Sequence, residues 1–149
     1  MNEIPNCFYR VSVKALILDE SRTKFLIVKE DNGFWELPGG GLDWGATPQE
    51  DLMREIEEEM GLKTTQIAEQ PSYFFTVDQE RRSDPSKRMW VANVLYETKV
   101  ENLDFTPSDE CVELMFADVD DIKKLEKVFP NVVKLAEVFD PAQHAVPKE

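Results

Sequence analysis

An α+β fold, with helices on the faces of a mixed, largely antiparallel sheet in an α/β/α sandwich, is what this 149-residue sequence predicts. Three observations carry that expectation. Short runs of β-branched and aromatic residues, separated by polar turn clusters, recur on either side of position 50. One strongly marked amphipathic helix interrupts them. Helical periodicity returns near the end of the chain.

Taken in order, 8–18 is rich in β-branched and aromatic residues and reads as a strand, and 19–23 (DESRT) as a turn. Residues 25–30 follow as a second strand, the expected hairpin partner of the first. Asp31-Asn32-Gly33 is a turn signal, and 34–37 (FWEL) a short strand running into Pro38 and three glycines. Proline stiffens the chain there, and glycine permits positive φ and close backbone approach.

The helix at 48–60 has an explicit start. Thr47 is an N-cap residue, Pro48 suits the first helical position, and Glu50 completes a capping box. Leu52, Met53, Ile56 and Met60 recur at helical spacing as a core-facing stripe, and Gly61 is the expected stop. Two long strands follow at 67–77 and 89–100, with the polar loop QERRSDPSKR between them, then a further strand at 111–117. Helices are expected from 118 to about 128 and again from Pro130. The chain reads as a single domain over 1–149, with 140–149 a loose tail.

Composition narrows the function classes. A net charge of −13 argues against non-specific binding to nucleic acid or anionic membranes. The apolar runs ALIL and FLIV are too short to span a bilayer, and MNEIPNCFYR has no signal-peptide pattern. Cys7 and Cys111 are too far apart for a metal motif and read as reduced thiols in a cytoplasmic protein. The single histidine, His144, lies in a polar stretch, which argues against Ser-His or Cys-His catalysis.

The carboxylates of the 48–60 helix point to a metal. At about 100° per residue, Glu59 lies about 40° to one side of Glu55 and Glu58 about 60° to the other. Asp51 shares that side by i,i+4 spacing, whereas Glu57 points away. Arg54 offsets part of the repulsion through Glu50 and Glu58. An oxygen-only donor set suits magnesium or manganese, and magnesium shares itself between carboxylates and substrate phosphate. A solvated acidic helix face is the alternative; the glycine turn at a fixed distance favours a site.

Over these residues the chain resembles the Nudix hydrolases, of which the MutT-like proteins are the familiar members. The family signature is G-x5-E-x7-R-E-U-x-E-E-x-G-U, with U a bulky aliphatic. Gly40 supplies the first glycine, and residues 54–62, REIEEEMGL, match the second half throughout. Trp35-Glu36-Leu37-Pro38-Gly39 is similar to the usual lead-in, and the likeness in strand order extends over 8–139. The departure is Ala46, where the signature has a glutamate. The resemblance implies that this glutamate supports the metal site, and Asp51, one turn before Glu55, is read as its partial replacement.

What the resemblance implies is magnesium-dependent hydrolysis of a phosphoanhydride (pyrophosphate) bond in a nucleoside diphosphate linked to another moiety. Glu55, Glu58 and Glu59 hold one or more magnesium ions, with manganese as the substitute, and the Gly39 carbonyl adds a ligand. Arg54 orients the glutamates. The general base is expected from a loop before a late strand, where Asp109-Glu110 stands with Glu113 next; Glu110 is favoured over a plain solvated acid. Arg81, Arg82, Lys87 and Arg88 form a basic loop suited to gripping substrate phosphate, although polar hairpin tips are common. Trp44, inside the glycine turn, is the best candidate for stacking a base. The second reading, motivated by Ala46, is a Nudix-fold nucleotide-binding module with weak or no hydrolysis. A diphosphate isomerase on the same fold needs further histidine and cysteine positions that this chain lacks. A homodimer is compatible with the resemblance.

Overall fold

Alternate residues of the first two strands enter different cores, and this sets the layering. The computed structural model of the chain describes residues 9–81 and 84–146, the side chains of 80–88 excepted. Strand β1 (Arg10–Leu16) and strand β2 (Phe25–Lys29) bury side chains on both faces. Leu16, Phe25 and Ile27 join Ile122, Val132 and Leu135 in one core. Val13, Ala15, Leu26 and Val28 join Leu52, Ile56 and Met60 in the other. Period-two alternation therefore places a core on each side of the strands.

The other elements are β3 (Trp35–Glu36), β4 (Gly39–Gly41), α1 (Pro48–Met60), β5 (Thr64–Ile67), β6 (Tyr73–Arg81), β7 (Asp84–Val100), β8 (Glu113–Ala117), α2 (Val119–Lys123) and α3 (Pro130–Val138). One sheet runs β4-β1-β7-β5, with β6 also on β7; the second runs β3-β2-β8. The β1–β7 pairing is parallel, and β1–β4, β2–β3, β2–β8, β5–β7 and β6–β7 are antiparallel. Helix α1 covers one core; α2 and α3 cover the other. The architecture is thus the expected α+β fold with a mixed, mainly antiparallel sheet arrangement.

Two expectations need correction. β1 and β2 are expected to form a hairpin, but among the described residues their backbones bond only beside the connection, through the Leu18–Phe25 bridge, the Leu26 amide donating to the Ile17 carbonyl and the Asp19 amide donating to the Lys24 carbonyl. They then part into different sheets. Each is apolar on both faces and so takes an interior position with its own pair of neighbours. The segment from 140 was expected to be loose. Instead Pro141–His144 forms a 3-10 turn, and His144 is buried. Its ring stacks on Phe139, and its Nε2 lies 2.9 Å from the Tyr73 hydroxyl, which accepts the Asp140 amide. Residues 147–149 lie outside the described residues.

Helix α1 has the expected bounds. The Thr47 hydroxyl accepts the Glu50 amide, the Glu50 carboxylate accepts the Thr47 amide, and Gly61 closes the helix at φ 66°. Met53 is exposed rather than part of the buried stripe, which instead contains Asp51 and Glu59. Among the described residues no helix is long and apolar enough to cross a membrane.

Candidate metal centre

Two glycines let a helix carboxylate lie directly against a strand. β4 pairs with β1 in the register Lys14 opposite Gly39 and Val13 opposite Gly40. Gly39 has φ 127°, and a Cβ there would stand 2.2 Å from the Val13 carbonyl oxygen. A Cβ on Gly40 would stand 2.8 Å from the Glu55 carboxyl carbon. Both distances are shorter than real Cβ atoms tolerate, so the close approach of β4 to β1 and of Glu55 to β4 requires glycine.

Glu55 and Glu59, one helical turn apart, project from α1 toward this turn. The third carboxylate comes from a distant loop that the end of α1 holds. The last carbonyls of a helix lack intrahelical donors. Here the Ser108 hydroxyl donates to the Glu59 carbonyl at 2.6 Å, and the Thr106 amide to the Met60 carbonyl at 2.7 Å. The Asp31 amide fixes the same loop by donating to the Asp109 carbonyl. As a result one carboxylate oxygen from each of Glu55, Glu59 and Glu110 lies within 4.8 Å of the others. Such a gathering of hard oxygen donors, one buried, one half-buried and one exposed, fits a small divalent cation open on one side to solvent.

Electrostatics agree with that fit. Burial drives the Glu59 carboxyl well above the usual carboxylate range; Lys14 and the Gly39 amide oppose the rise, and Glu110 and Glu55 add to it. Burial likewise raises Glu55, opposed first by Arg54 and aided by Glu58 and Glu110. Glu59 also sits in the last turn of α1, at the negative end of the helix dipole. Burial, like charges and the dipole all disfavour a bare carboxylate there, and a cation relieves each of them.

A cavity of about 290 Å³ opens on the cluster and is lined also by Ser12, Lys14, Glu30, Glu36 and Gln79. Lys14 is 6% exposed; its ammonium donates to the Leu37 carbonyl at 3.3 Å and the Gly39 carbonyl at 3.4 Å, and lies 3.8 Å from Glu36. A larger hollow of about 880 Å³, lined by Leu18, Arg22, Glu97 and Leu103 among others, contains none of the three clustered carboxylates.

The remaining expected residues fall elsewhere. Glu58 is exposed and pairs with Arg54 Nη1 at 3.2 Å, outside the trio. Asp51 was read as a metal ligand, but the structure commits both of its oxygens away from the cluster. Oδ2 accepts the Asp43 amide at 2.7 Å and Oδ1 accepts Arg54 Nη2 at 3.0 Å. Burial works to raise its pKa, yet those two bonds together with the positive charges of Arg54 and Arg10 outweigh it and the net shift is downward. Arg54 also reaches Asp43 at 2.9 Å and Glu55 at 3.2 Å, so it ties the turn to the helix. With Ala46 carrying no carboxylate, Asp43 and Asp51 are the acids that hold this guanidinium from the turn side. Trp44 is fully exposed and does not line the cavity. The side chains of Arg81, Arg82, Lys87 and Arg88 lie outside the described residues.

Lys14 and Ser108 are among the site residues that the sequence reading does not single out. Lys14 had a signal: it is a charge inside the apolar run VSVKALIL. Ser108 had none beyond marking a loop.

Residues 8–138 match the NUDIX domain. A segment of 34 residues is 53% identical to an 8-oxo-dGTP diphosphatase of Proteus vulgaris, covering 23% of this chain and 30% of that protein. Another of 71 residues is 38% identical to an RNA pyrophosphohydrolase of Nitratiruptor sp., covering 44% of this chain and 46% of that one. Each alignment thus spans less than half of the curated relative. In three dimensions the chain is similar to the ORF135 protein of E. coli, with a TM-score of 0.68, 17% identity, and 99% of this chain and 100% of that one covered.

Proposed function

The chain belongs to the Nudix family, and from that membership we propose that it hydrolyses a phosphoanhydride bond in a nucleoside diphosphate linked to another moiety, using magnesium or manganese. The observation that carries this reading is the convergence of Glu55, Glu59 and Glu110 beside the Gly39 backbone. Glu55 and Glu59, with the Gly39 carbonyl, are the residues proposed to hold the cation, and Glu110 faces it from the exposed side. A cation there would neutralise charge on the phosphate oxygens and acidify a water.

The chain's own groups do the rest. Glu110 is the exposed member of the trio and is proposed as the general base, because an exposed carboxylate can reach a water and release its proton. Glu55 and Glu59 are held by the packed face of α1, which supplies the positioning that in-line attack needs. Arg54 orients Glu55, and Glu58 sits on the outer edge of that pair. Trp44, Arg81, Arg82 and Arg88 are proposed to contact the base and phosphates. A cytoplasmic homodimer completes the reading, and light scattering on the eluting protein checks the dimer.

The family relatives named above differ in substrate, which makes an assay panel decisive. Nucleoside triphosphates, nucleotide sugars, ADP-ribose, dinucleoside polyphosphates and capped RNA are to be incubated with and without magnesium. Turnover of at least one member, dependent on metal and lost in Glu59→Gln, is the expected result. Absence of turnover across the panel would instead support a nucleotide-binding module, the reading that Ala46 favours.

A further inference from the structure

We propose that Lys14 is the resident cation of this site: its ammonium occupies the glycine-turn carbonyl before any divalent ion arrives, and so sets how tightly that ion can bind. The inference rests on the metal reading above and goes beyond it, because it concerns a residue outside the ligand set. A lysine in the middle of an apolar strand is costly to bury unless it is paired. Lys14 is 6% exposed. The β1–β4 register places it directly across from Gly39. Its Nζ then meets two backbone carbonyls, of Leu37 and Gly39, and lies 3.8 Å from the Glu36 carboxylate. Carbonyl and carboxylate oxygens gathered around one positive charge are the donors a metal ion uses.

The composition of the cavity makes the role specific. Among the described residues its lining holds five carboxylates, Glu30, Glu36, Glu55, Glu59 and Glu110, and one basic side chain, Lys14. Without a bound ion, that ammonium helps to keep mutually repelling acids assembled from within the lining, while Arg54 reaches Glu55 from outside it. Glu36 is fixed in turn, since its Oε1 accepts the Leu37 amide at 2.7 Å. A divalent ion that takes the Gly39 carbonyl must share it with Lys14 or displace the ammonium from it, and in either case sits beside a like charge. Lys14 therefore stabilises the empty site and weakens the filled one. A lysine serving only as a structural clamp would affect stability alone.

The test measures metal affinity directly. Mn2+ binding is followed by electron paramagnetic resonance, and unfolding temperature is recorded with and without Mg2+, for wild type, Lys14→Met, Lys14→Gln and Lys14→Arg. Losing one unit charge at contact range in an effective dielectric of about 20 corresponds to at least about a tenfold change in affinity. Lys14→Met is expected to unfold at lower temperature without metal, to bind Mn2+ at least about tenfold more tightly, and to gain more from Mg2+ than wild type does. Lys14→Gln is expected to shift in the same direction should the Met variant fail to fold, and Lys14→Arg to stay near wild type. Unchanged or weaker Mn2+ binding in both neutral variants overturns the inference while leaving the metal reading intact. Wild-type protein that binds no Mn2+ overturns the metal reading first.

Discussion

Replacing Asp51 with alanine separates bracing from ligation. The Asp51 side chain is 2% exposed, and its Oδ2 accepts the Asp43 amide at 2.7 Å. A hydrogen bond to a charged group is worth about 1.5–3 kcal/mol. Arg54 stands partly in solvent and keeps Asp43, Glu55 and Glu58 as partners, so its share is left out of the sum. Alanine returns a few tenths of a kcal/mol in helix propensity. The net loss is about 2 kcal/mol, which for a domain of this size lowers the melting temperature by about 4–8 °C. The effect has a pH signature. The folded pKa of Asp51 is lowered, so its stabilisation is present above its unfolded pKa of about 3.9 and is lost as pH falls through the folded value. Melting curves of both proteins between pH 3 and pH 8 should therefore converge at the acid end. Mn2+ affinity should fall far less than in Glu59→Gln, because the Asp51 oxygens face Asp43 and Arg54. An unchanged melting temperature, or loss of Mn2+ binding as complete as in Glu59→Gln, would refute this reasoning.

Other substitutions give distinct outcomes. Glu59→Gln should raise the melting temperature of metal-free protein at neutral pH. The raised pKa means that the fold's relative stability is full below about pH 4.3 and erodes as pH climbs toward the folded value, and a neutral amide removes that erosion. The same variant should lose the stabilisation that Mg2+ gives wild type, read in the same melting experiment. Gly40→Ala places a Cβ 2.8 Å from the Glu55 carboxyl and should weaken Mn2+ binding about tenfold or more by pushing Glu55 off the turn, with far-UV circular dichroism unchanged. Cys111 is fully buried, and burial, with Glu59 nearby, pushes its thiol up to about 11. In a Cys7→Ser background it should react with a thiol reagent at pH 8 only at the rate of unfolding, and immediate labelling would contradict the packing described.

Much of the site was legible because local rules governed it. The capping box, the helical spacing of Glu55 and Glu59, and the glycines before them are short-range features, and the helix bounds followed from them. The pairing of β1 and β2 was misread because a strand apolar on both faces does not announce its neighbours. His144 looked like part of a tail because it stands among polar residues and prolines, and its partners are Phe139, at the end of the preceding helix, and the distant Tyr73. Asp51 lay on the correct helix face for ligation; what removed it was the Asp43 amide, a backbone donor with no sequence signature. Lys14 showed in the sequence only as a charge inside an apolar run; its meeting with Gly39 and Glu36 came from strand register, which no single stretch of sequence encodes.

The bond from Ser108 to the Glu59 carbonyl also bears on the order in which the molecule assembles. It closes a loop of 49 residues. Entropy makes such a closure unfavourable until the intervening β5, β6 and β7 have paired, and contacts of long sequence separation slow folding. Glu110 can therefore join its partners only after most of the chain has found its place. Refolding followed by backbone signals should run ahead of the closing of the Glu55, Glu59 and Glu110 cluster, read as the recovery of Mn2+ binding.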